Sequence, residues 1–269
     1  MASRKQFETF RQDADEKLLF LKHVQSIELW EWREGEPEPR KLHAVTLQGE
    51  AGELRRRTEM TDWLKGQLDG WQARTGQPWK ETAGSTHDML QTVDRRQVPR
   101  HTIRATILIE SDGEQRWQDE WHVRSGVGLG AAWEASIADY QDKALTLFPS
   151  ASIAARIRSM ALGGEGSSQP RPFVGRAFAT LPTEMQTGYP VHVNARWCLE
   201  NNRTSLKSGA AQSVQVQVGF NHAMIQDTVA TLWTELLVEL KAAELPMLRY
   251  YALWPRLATE SSDAGSKLP

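Results

Sequence analysis

The polar loop Asn201-Asn202-Arg203 carries the side chain best suited to chemistry in this sequence. It follows a stretch that predicts a β-strand over 191–199, with His192, Asn194 and Arg196 facing one way. A guanidinium at the end of a strand can hold a phosphate or a carboxylate through two parallel hydrogen bonds. Arg203 is therefore a candidate anion-binding residue. The alternative is an ordinary solvated surface arginine.

A second candidate is the glycine-rich segment Gly126-Val127-Gly128-Leu129-Gly130, which lies between a predicted strand and a predicted helix. Such a turn can bring backbone N–H groups close to a dinucleotide pyrophosphate. Here the preceding strand belongs to a hairpin, and no second parallel strand ending in an acidic residue follows. The pattern favours a plain glycine loop. A free-standing nucleotide-dependent enzyme is the least favoured alternative.

The histidines and the cysteine indicate no metal or nucleophile. None of the seven histidines has a second ligand at metal-binding spacing. Cys198 is the single cysteine, which excludes a disulfide framework and a cysteine-based zinc site. No base can be identified for it, so we expect a buried, inert thiol.

The stretch 174–206 resembles the repeat of the sacsin family, chaperone-like proteins whose repeats begin with an Hsp90-type ATPase fold. Three elements carry the resemblance, at 175–182, 187–194 and 202–206. Their marker residues are Gly175, Arg176, Phe178, Pro182, Gly188, Pro190, His192, Asn194, Asn202 and Arg203. The sequence departs from the family pattern at Glu184, Ala195, Thr204 and Lys207. Flanking segments extend the likeness over roughly 16–256.

The motifs of the ATP-binding lobe are missing from the sequence. An Hsp90-type pocket needs an asparagine with a glutamate four residues earlier, and an Asp-x-Gly-x-Gly loop. Neither pattern occurs among the four asparagines or elsewhere in the chain. By resemblance the chain corresponds to the segment after that lobe, analogous to an Hsp90 middle domain. We expect no ATP hydrolysis by the chain alone, no cofactor of its own, and ATP with Mg²⁺ only in the lobe it lacks.

The resemblance implies a chaperone-type module that completes the ATPase cycle of an Hsp90-like lobe. In that class an arginine reaches the γ-phosphate, and we identify Arg203 as the first candidate and Arg196 as the second. Thr204, in place of the family's second arginine, weakens the assignment to Arg203. The implied partners are the ATPase lobe, client proteins and Hsp70-type chaperones. A non-catalytic protein-interaction scaffold that keeps only the fold is the alternative.

Both β-hairpins and helices are predicted among the elements that would position these residues. Alternating apolar residues predict hairpins at 27–47 and 103–123, the latter around Ser111-Asp112-Gly113. Helical spacing predicts amphipathic helices at 53–74, 133–147 and 224–240. Near the motif we expect a short strand from Phe178 that ends at Pro182. The pattern predicts an α+β fold of mixed and antiparallel sheets flanked by long helices, with an Hsp90-middle-domain-like arrangement implied by the resemblance.

Composition divides the chain and excludes some classes of partner. The Gly-, Ser- and Pro-rich segment 163–172 predicts a flexible linker between an α+β half, 1–162, and a motif-bearing half, 173–256. Residues 257–269 predict a disordered tail. A net charge of −2 provides no overall basic field for nucleic acid or an anionic membrane. Neither a membrane span nor a secretory leader is expected, so we predict a cytoplasmic protein.

Overall fold

Eight strands form one sheet in the computed structural model, which describes residues 10–11, 14–76, 83–111, 115–138, 147–162 and 172–255. The sheet order is β1-β2-β3-β4-β5-β8-β6-β7. Every neighbouring pair is antiparallel except β6 and β8, which are parallel. The strands are β1 (Ser26–Glu31), β2 (Arg40–Gln48), β3 (His101–Ser111), β4 (Gln115–Val127), β5 (Ser150–Leu162), β6 (Arg176–Ala179), β7 (Leu181–Gln186) and β8 (His192–Ala195).

In the described part of the chain, seven helices with defined bounds lie between β2 and β3, between β4 and β5, and after β8. They are α1 (Ala51–Arg55), α2 (Glu59–Thr75), α3 (Ala83–Thr92), α4 (Ala131–Ile137), α5 (Gln212–Ala223), α6 (Ala230–Ala242) and α7 (Met247–Ala252). A 3₁₀ turn, Arg56–Thr58, joins α1 to α2, and a π-helical segment, Met224–Val229, joins α5 to α6. The combination confirms the predicted α+β fold.

The longest hairpin forms where the sequence alternates most strictly. Ile103, Ala105, Ile107 and Ile109 are buried, whereas the residues between them are exposed or half-buried. His101 pairs with Ser125 at one end of the β3–β4 ladder and Ser111 with Gln115 at the other. The expected Asp112-Gly113 turn lies outside the described residues.

Strand β5 contributes to two cores because its side chains alternate between the faces of the sheet. Ala151, Ile153 and Ala155 pack in a core with side chains of α5, the π-helical segment and α6. Ala154 packs on the opposite face in a core that includes Leu18, Leu19 and Phe20 from the segment preceding β1. Residues of α2, α3 and α4 build a third cluster around Val127 and Phe148. The strands around β5 are therefore fixed from both sides.

Three local expectations near the motif were wrong or incomplete. Pro182 does not end a strand: it lies in β7, which forms one edge of the sheet, and edge strands tolerate proline. The strand predicted over 191–199 is shorter, since β8 ends at Ala195. Arg196 therefore lies beyond the strand. The helix predicted from Trp133 is described as far as Ile137, and positions 140 and 144 lie outside the described residues.

Strands from both predicted halves share the sheet, because β5 pairs with β8 through Ala151–Ala195 to Ala154–His192. Most of the predicted linker, 163–171, and the predicted tail from 257 lie outside the described residues. The division of the chain into halves stays a prediction. Among the helices that the structure describes, none combines the length and the apolar character needed to cross a bilayer.

Candidate functional site

The motif residues build a small, tightly packed unit of β6, β7 and β8. Gly175 is buried, and a Cβ at its position would lie 2.1 Å from the Tyr189 carbonyl oxygen and 2.4 Å from that of Val191. The backbone N–H of Thr187 donates to the Gly175 carbonyl oxygen at 2.8 Å, and the Thr187 hydroxyl donates to Val191 O at 2.9 Å. Only glycine fits where these segments cross.

The bend between β7 and β8 uses two further motif residues. Gly188 has a φ of 70°, in the left-handed region that glycine adopts without steric cost. Pro190 follows it half-buried and leads into the fully buried Val191. Both residues shape the bend.

His192 lies at the centre of an aromatic cluster. Its imidazole is stacked on Trp121, with ring centroids 5.3 Å apart, and meets Phe173 and Phe178 edge-on. The Arg176 backbone N–H donates to Nδ1 at 3.0 Å, so Nδ1 is the acceptor, and Nε2 lies 3.3 Å from Glu16 Oε1. The imidazole is completely buried, and its role here is packing and orientation.

The other marker residues of the strands also position backbone. The Asn194 side-chain oxygen accepts the Thr180 N–H at 2.7 Å, which fixes the one-residue turn where Thr180 has a φ of 68°. Phe178 is fully buried against Phe20, with centroids 4.8 Å apart. The half-buried Arg176 donates to the Thr183 carbonyl oxygen at 3.4 Å and lies 3.9 Å from Glu16 Oε2. These contacts occupy most of the polar groups of the unit, although Thr180 and Asn194 also line a pocket on one side of it.

Arg203 lies on an exposed turn, apart from this unit. The turn is closed by a bridge between Leu199 and Leu206, and Arg203 itself has a φ of 60°. The Asn202 side chain caps the turn by accepting the Thr204 N–H at 3.1 Å. Within the described part of the chain the Arg203 guanidinium has no hydrogen bond or ion pair. The turn is exposed and presents a single guanidinium, so both the anion-binding role and the solvated-surface alternative remain predictions.

The nearest acidic side chain to this turn is already engaged. Glu200 pairs with Lys207 at 3.1 Å and accepts the Ser208 N–H at 2.9 Å. The Ser208 backbone hydrogen bond, and then the bond from Lys207, hold the pKa of Glu200 below its usual value. Lys207 is therefore neutralised and does not reinforce Arg203.

Arg196, the second candidate, lines a pocket of about 140 Å³ over the centre of the sheet. Two other cations line the same pocket: Lys22 from the loop before β1 and Arg57 from the 3₁₀ turn. Its other polar lining comes from His101 and from hydroxyls and an amide, those of Ser125, Ser150, Ser152, Thr180 and Asn194; among the described residues no carboxylate lines it. We call this the basic pocket.

Each cation of the basic pocket is held in place. Arg57 donates to the carbonyl oxygens of Leu18 at 2.8 Å and Val24 at 3.3 Å, which ties the loop carrying Lys22 to the 3₁₀ turn. Lys22 donates to the Thr61 hydroxyl. The Arg196 guanidinium lies over the Phe148 ring, 5.2 Å from its centroid. Three elements far apart in sequence thus converge on one cavity.

The electrostatics of the pocket suit an anion. Partial desolvation, and then the positive charge of Arg196, lower the pKa of Lys22, while Asp62 opposes the shift. Desolvation also lowers the pKa of Arg57. A bound anion would relieve the mutual repulsion of these cations. Sequence reasoning missed Lys22 and Arg57; the arginine run 55–57 was the one visible signal, and it did not show which arginine turns inward.

The glycine loop does not form a phosphate site. Strand β4 before it is antiparallel to both β3 and β5, so no βαβ unit exists. The Asp227 carboxylate already occupies the start of α4, accepting from the N–H groups of Gly130 at 3.0 Å and Ala132 at 3.1 Å. A Cβ at Gly128 would lie 2.1 Å from the Thr228 hydroxyl oxygen. The glycines accommodate the π-helical segment, and the dinucleotide alternative is wrong.

Cys198 is half-buried, whereas a buried thiol was expected, and its backbone is fixed by a neighbouring side chain. Asn221 bonds both backbone groups of this residue, accepting its N–H at 2.9 Å and donating to its carbonyl oxygen at 2.8 Å. Burial raises the pKa of the thiol to about 11, so the reactive thiolate is scarce at neutral pH. No group of three or more potential metal ligands occurs among the residues that the structure describes.

Comparison with known proteins gives one weak but extended similarity. Neither a protein-family model nor a solved structure matches the chain. The chain is similar to human sacsin, with 24% identity over 240 residues. The match covers 88% of this chain and 4% of sacsin, so the chain spans a small fraction of that protein's length. The similarity supports the relationship to sacsin that the motif at 175–206 predicted.

Proposed function

We propose that the chain is a cytoplasmic, chaperone-type module that completes the ATPase cycle of an Hsp90-like lobe supplied from outside it. The observation that carries this proposal is the convergence of three cations, Lys22, Arg57 and Arg196, on one pocket. The similarity to sacsin supports the same assignment. The middle-domain-like role belongs to the proposal, as do the client proteins and Hsp70-type chaperones that would act with it.

Arg196 is the better placed of the two candidate arginines. It shares the basic pocket with two cations and several hydroxyl donors, so a phosphate there would gain several charge-assisted hydrogen bonds. Arg203 offers one solvated guanidinium on a turn, and an isolated ion pair in water contributes about 1 kcal/mol or less. We therefore place the phosphate contact at Arg196 and reverse the order of the candidates.

The pocket suits the phosphates of a nucleotide held by the lobe. Negative charge on the phosphoryl oxygens is stabilised during transfer by positioned cations, of which an arginine is the most effective side chain. Guanidinium, ammonium and hydroxyl groups fit those oxygens, whereas Mg²⁺ prefers carboxylates, which the pocket lining lacks. ATP and Mg²⁺ would thus be held by the lobe, while this chain supplies positive charge.

The test is to combine the purified chain with the ATPase lobe that precedes the corresponding segment in a sacsin repeat. We expect the chain alone to turn over ATP at background rate and the combination to exceed the isolated lobe by about tenfold or more. An unchanged rate for the lobe, with binding of the two parts verified, would reject the ATPase-cycle role.

A scaffold without a catalytic contribution is the second candidate, and the exposed face of α7 favours it. Met247, Leu248 and Tyr251 are 72%, 88% and 58% exposed, and Trp254 just beyond the helix is 44% exposed. Clustered apolar side chains in water are typical of a protein-binding surface. Suppression of aggregation of a heat-denatured test protein by the chain alone, lost in Leu248→Ser, would support this function without involving the basic pocket.

A further inference from the structure

A second charged cleft lies beside the basic pocket, on the other side of His101. Its volume is about 580 Å³, and its lining comes from α1, the 3₁₀ turn, α2, β3, β4 and the end of α6. Seven of its twelve lining residues are basic or acidic, and two more are histidines: Glu53, Arg56, Glu59, Arg100, His101, Arg104, His122, Arg124 and Glu239. We call it the outer cleft.

The acidic side chains of the outer cleft already have partners. Glu239 accepts from Arg124 at 2.7 Å and from the Thr102 hydroxyl. Glu53 accepts the Arg104 backbone N–H at 2.9 Å. Glu59 lies 3.3 Å from His101 Nδ1. Arg124 is further bound by Glu235, at 2.8 Å. The carboxylates are thus used to dock α6 and α1–α2 on the sheet.

Arg100 is also paired, with Glu235 at 2.5 Å, but two other arginines of the cleft are not paired in this way. Within the described residues, no hydrogen bond or ion pair reaches the guanidinium groups of Arg56 and Arg104 or the imidazole of His122. Arg56 and Arg104 are solvent-exposed, and His122 is half-buried. Two guanidiniums of the cleft, those of Arg56 and Arg104, are therefore available to an anion.

The outer cleft and the basic pocket are adjacent because one residue lines both. His101 appears in the lining of each, with a side chain that is 6% exposed. Consecutive arginines of the 3₁₀ turn serve the two sites: Arg56 lines the outer cleft and Arg57 the basic pocket. A ligand that carries several linked negative charges can therefore contact both.

We propose that the basic pocket and the outer cleft together bind a linear oligophosphate, with one phosphate at Arg196 and the next beside Arg56 and Arg104. The inference rests on the proposed function only for the basic pocket as a phosphate site; the second subsite is independent of any lobe. Among the described residues, the apolar lining of the outer cleft is two alanines, Ala242 and Ala243, which offer no flat surface for a nucleobase. The combined site would therefore recognise the number of linked phosphates and not the identity of a base.

Binding of an oligophosphate would be coupled to proton uptake by the histidines His101 and His122. Burial lowers the pKa of both His101 and His122. Glu59 opposes the shift at His101, where Arg56 and Arg124 add to it, and Arg104 adds to the shift at His122, where Glu239 and Glu53 oppose it. An anion favours the charged imidazole and raises these pKa values again. Affinity therefore increases as the pH falls from 7 towards 6.

The test is calorimetric titration of the chain alone with phosphate, pyrophosphate, tripolyphosphate, ATP and GTP at low ionic strength. We expect tripolyphosphate to bind about tenfold more tightly than phosphate, and ATP and GTP to bind equally well. The double variant Arg56→Gln/Arg104→Gln should bind tripolyphosphate no better than phosphate. Arg196→Gln should weaken all the ligands. Arg55→Gln, which removes the adjacent arginine that lines neither site, is the matched control and should behave as wild type.

Equal affinities for phosphate and tripolyphosphate would overturn the inference, as would an unchanged length dependence in the double variant. ATP binding much tighter than GTP would also overturn it, because that result requires a site that reads the base. If the double variant loses its preference for long oligophosphates yet still stimulates the lobe, both proposals stand. If stimulation survives in a wild-type chain that shows no length dependence, only the second subsite fails.

Discussion

The β6–β8 unit and the two basic sites differ in how completely their polar groups are used. In the unit, His192, Asn194 and Thr187 all bond to neighbouring backbone, and Gly175 has no space for a side chain. In the basic sites, Lys22, Arg56 and Arg104 line open cavities without a matching carboxylate for each. The unit can stabilise the fold but has little capacity left for a ligand.

This difference explains why the recognisable motif and most of the proposed anion-binding residues lie in different parts of the sequence. Proline, glycine, histidine and asparagine at fixed offsets are required by turns and close backbone contacts, which tolerate few substitutes. An anion site needs only cations of sufficient reach, and these can come from any nearby element. We therefore expect substitutions in the unit to change stability and substitutions in the basic sites to change binding.

The largest expected effect follows Gly175→Ala. The added methyl group would overlap two backbone carbonyl oxygens that cannot move separately. We expect a loss of about 3 kcal/mol or more in the free energy of unfolding, measured by urea denaturation. Gly219→Ala is the matched control, because a Cβ there meets nothing within 4 Å and helix α5 should gain about 0.5–1 kcal/mol. Equal effects of the two changes would contradict the packing account.

A smaller loss is expected for Asn194→Ala. The side chain accepts the N–H of Thr180 in a strained turn, and its removal leaves that donor without a protein partner. Because Thr180 is exposed, water can partly replace the amide, and we expect a destabilisation of about 0.5–1 kcal/mol. Asn202→Ala removes a similar bond from an exposed turn, where water replaces it, and should cost less than about 0.5 kcal/mol. Chemical denaturation of both variants compares them directly.

Acid should destabilise the protein through His101 and His122. Both have a folded-state pKa below the ordinary value of 6.5, with burial as the main cause. The unfolded chain therefore binds protons first, and the free energy of unfolding falls as the pH drops below about 6.5. The lowered pKa values of Glu28 and Glu200 affect the stability in a separate pH range, below 4.5. Denaturation curves between pH 7 and 5 measure the slope, which His122→Gln should reduce; a slope unaffected by that change would contradict this origin.

The smallest stability effect is expected for Arg56→Gln/Arg104→Gln. Both guanidiniums are exposed and lack partners within the described residues, so thermal unfolding should place the double variant within about 0.5 kcal/mol of wild type. A larger loss would mean that these arginines stabilise the fold, and the division between the unit and the basic sites would not hold.

The sequence predicted the elements better than the site. Hydrophobic alternation located β3 and β4, and helical spacing located α2 and the segment from Met224 to Ala242, because each pattern reflects burial within one element. Pro182 misled the strand assignment because an edge position tolerates proline, and edge position depends on strand order. Tertiary packing alone brings together Lys22, Arg57 and Arg196, and the first and last of these are 174 positions apart in the sequence. No local pattern encodes that convergence.

The Arg203 turn and the glycine loop also show that a local sequence pattern does not reveal the neighbours of a segment in the fold. The exposure of the Arg203 turn was readable from its polar residues, but its lack of neighbouring cations was not. The glycine loop looked like a phosphate turn in isolation, yet Asp227, 97 residues beyond Gly130, accepts its N–H groups. For the glycine loop, a residue far along the sequence therefore determines what its N–H groups bind.

The most direct test of the central proposal is the steady-state ATP turnover of the sacsin-type lobe combined with the wild-type chain, Arg196→Gln or Arg203→Gln. We predict that Arg196→Gln abolishes the stimulation, while Arg203→Gln retains most of it and both variants still bind the lobe. Stimulation that survives Arg196→Gln at the wild-type level would contradict the assignment of the phosphate contact to the basic pocket.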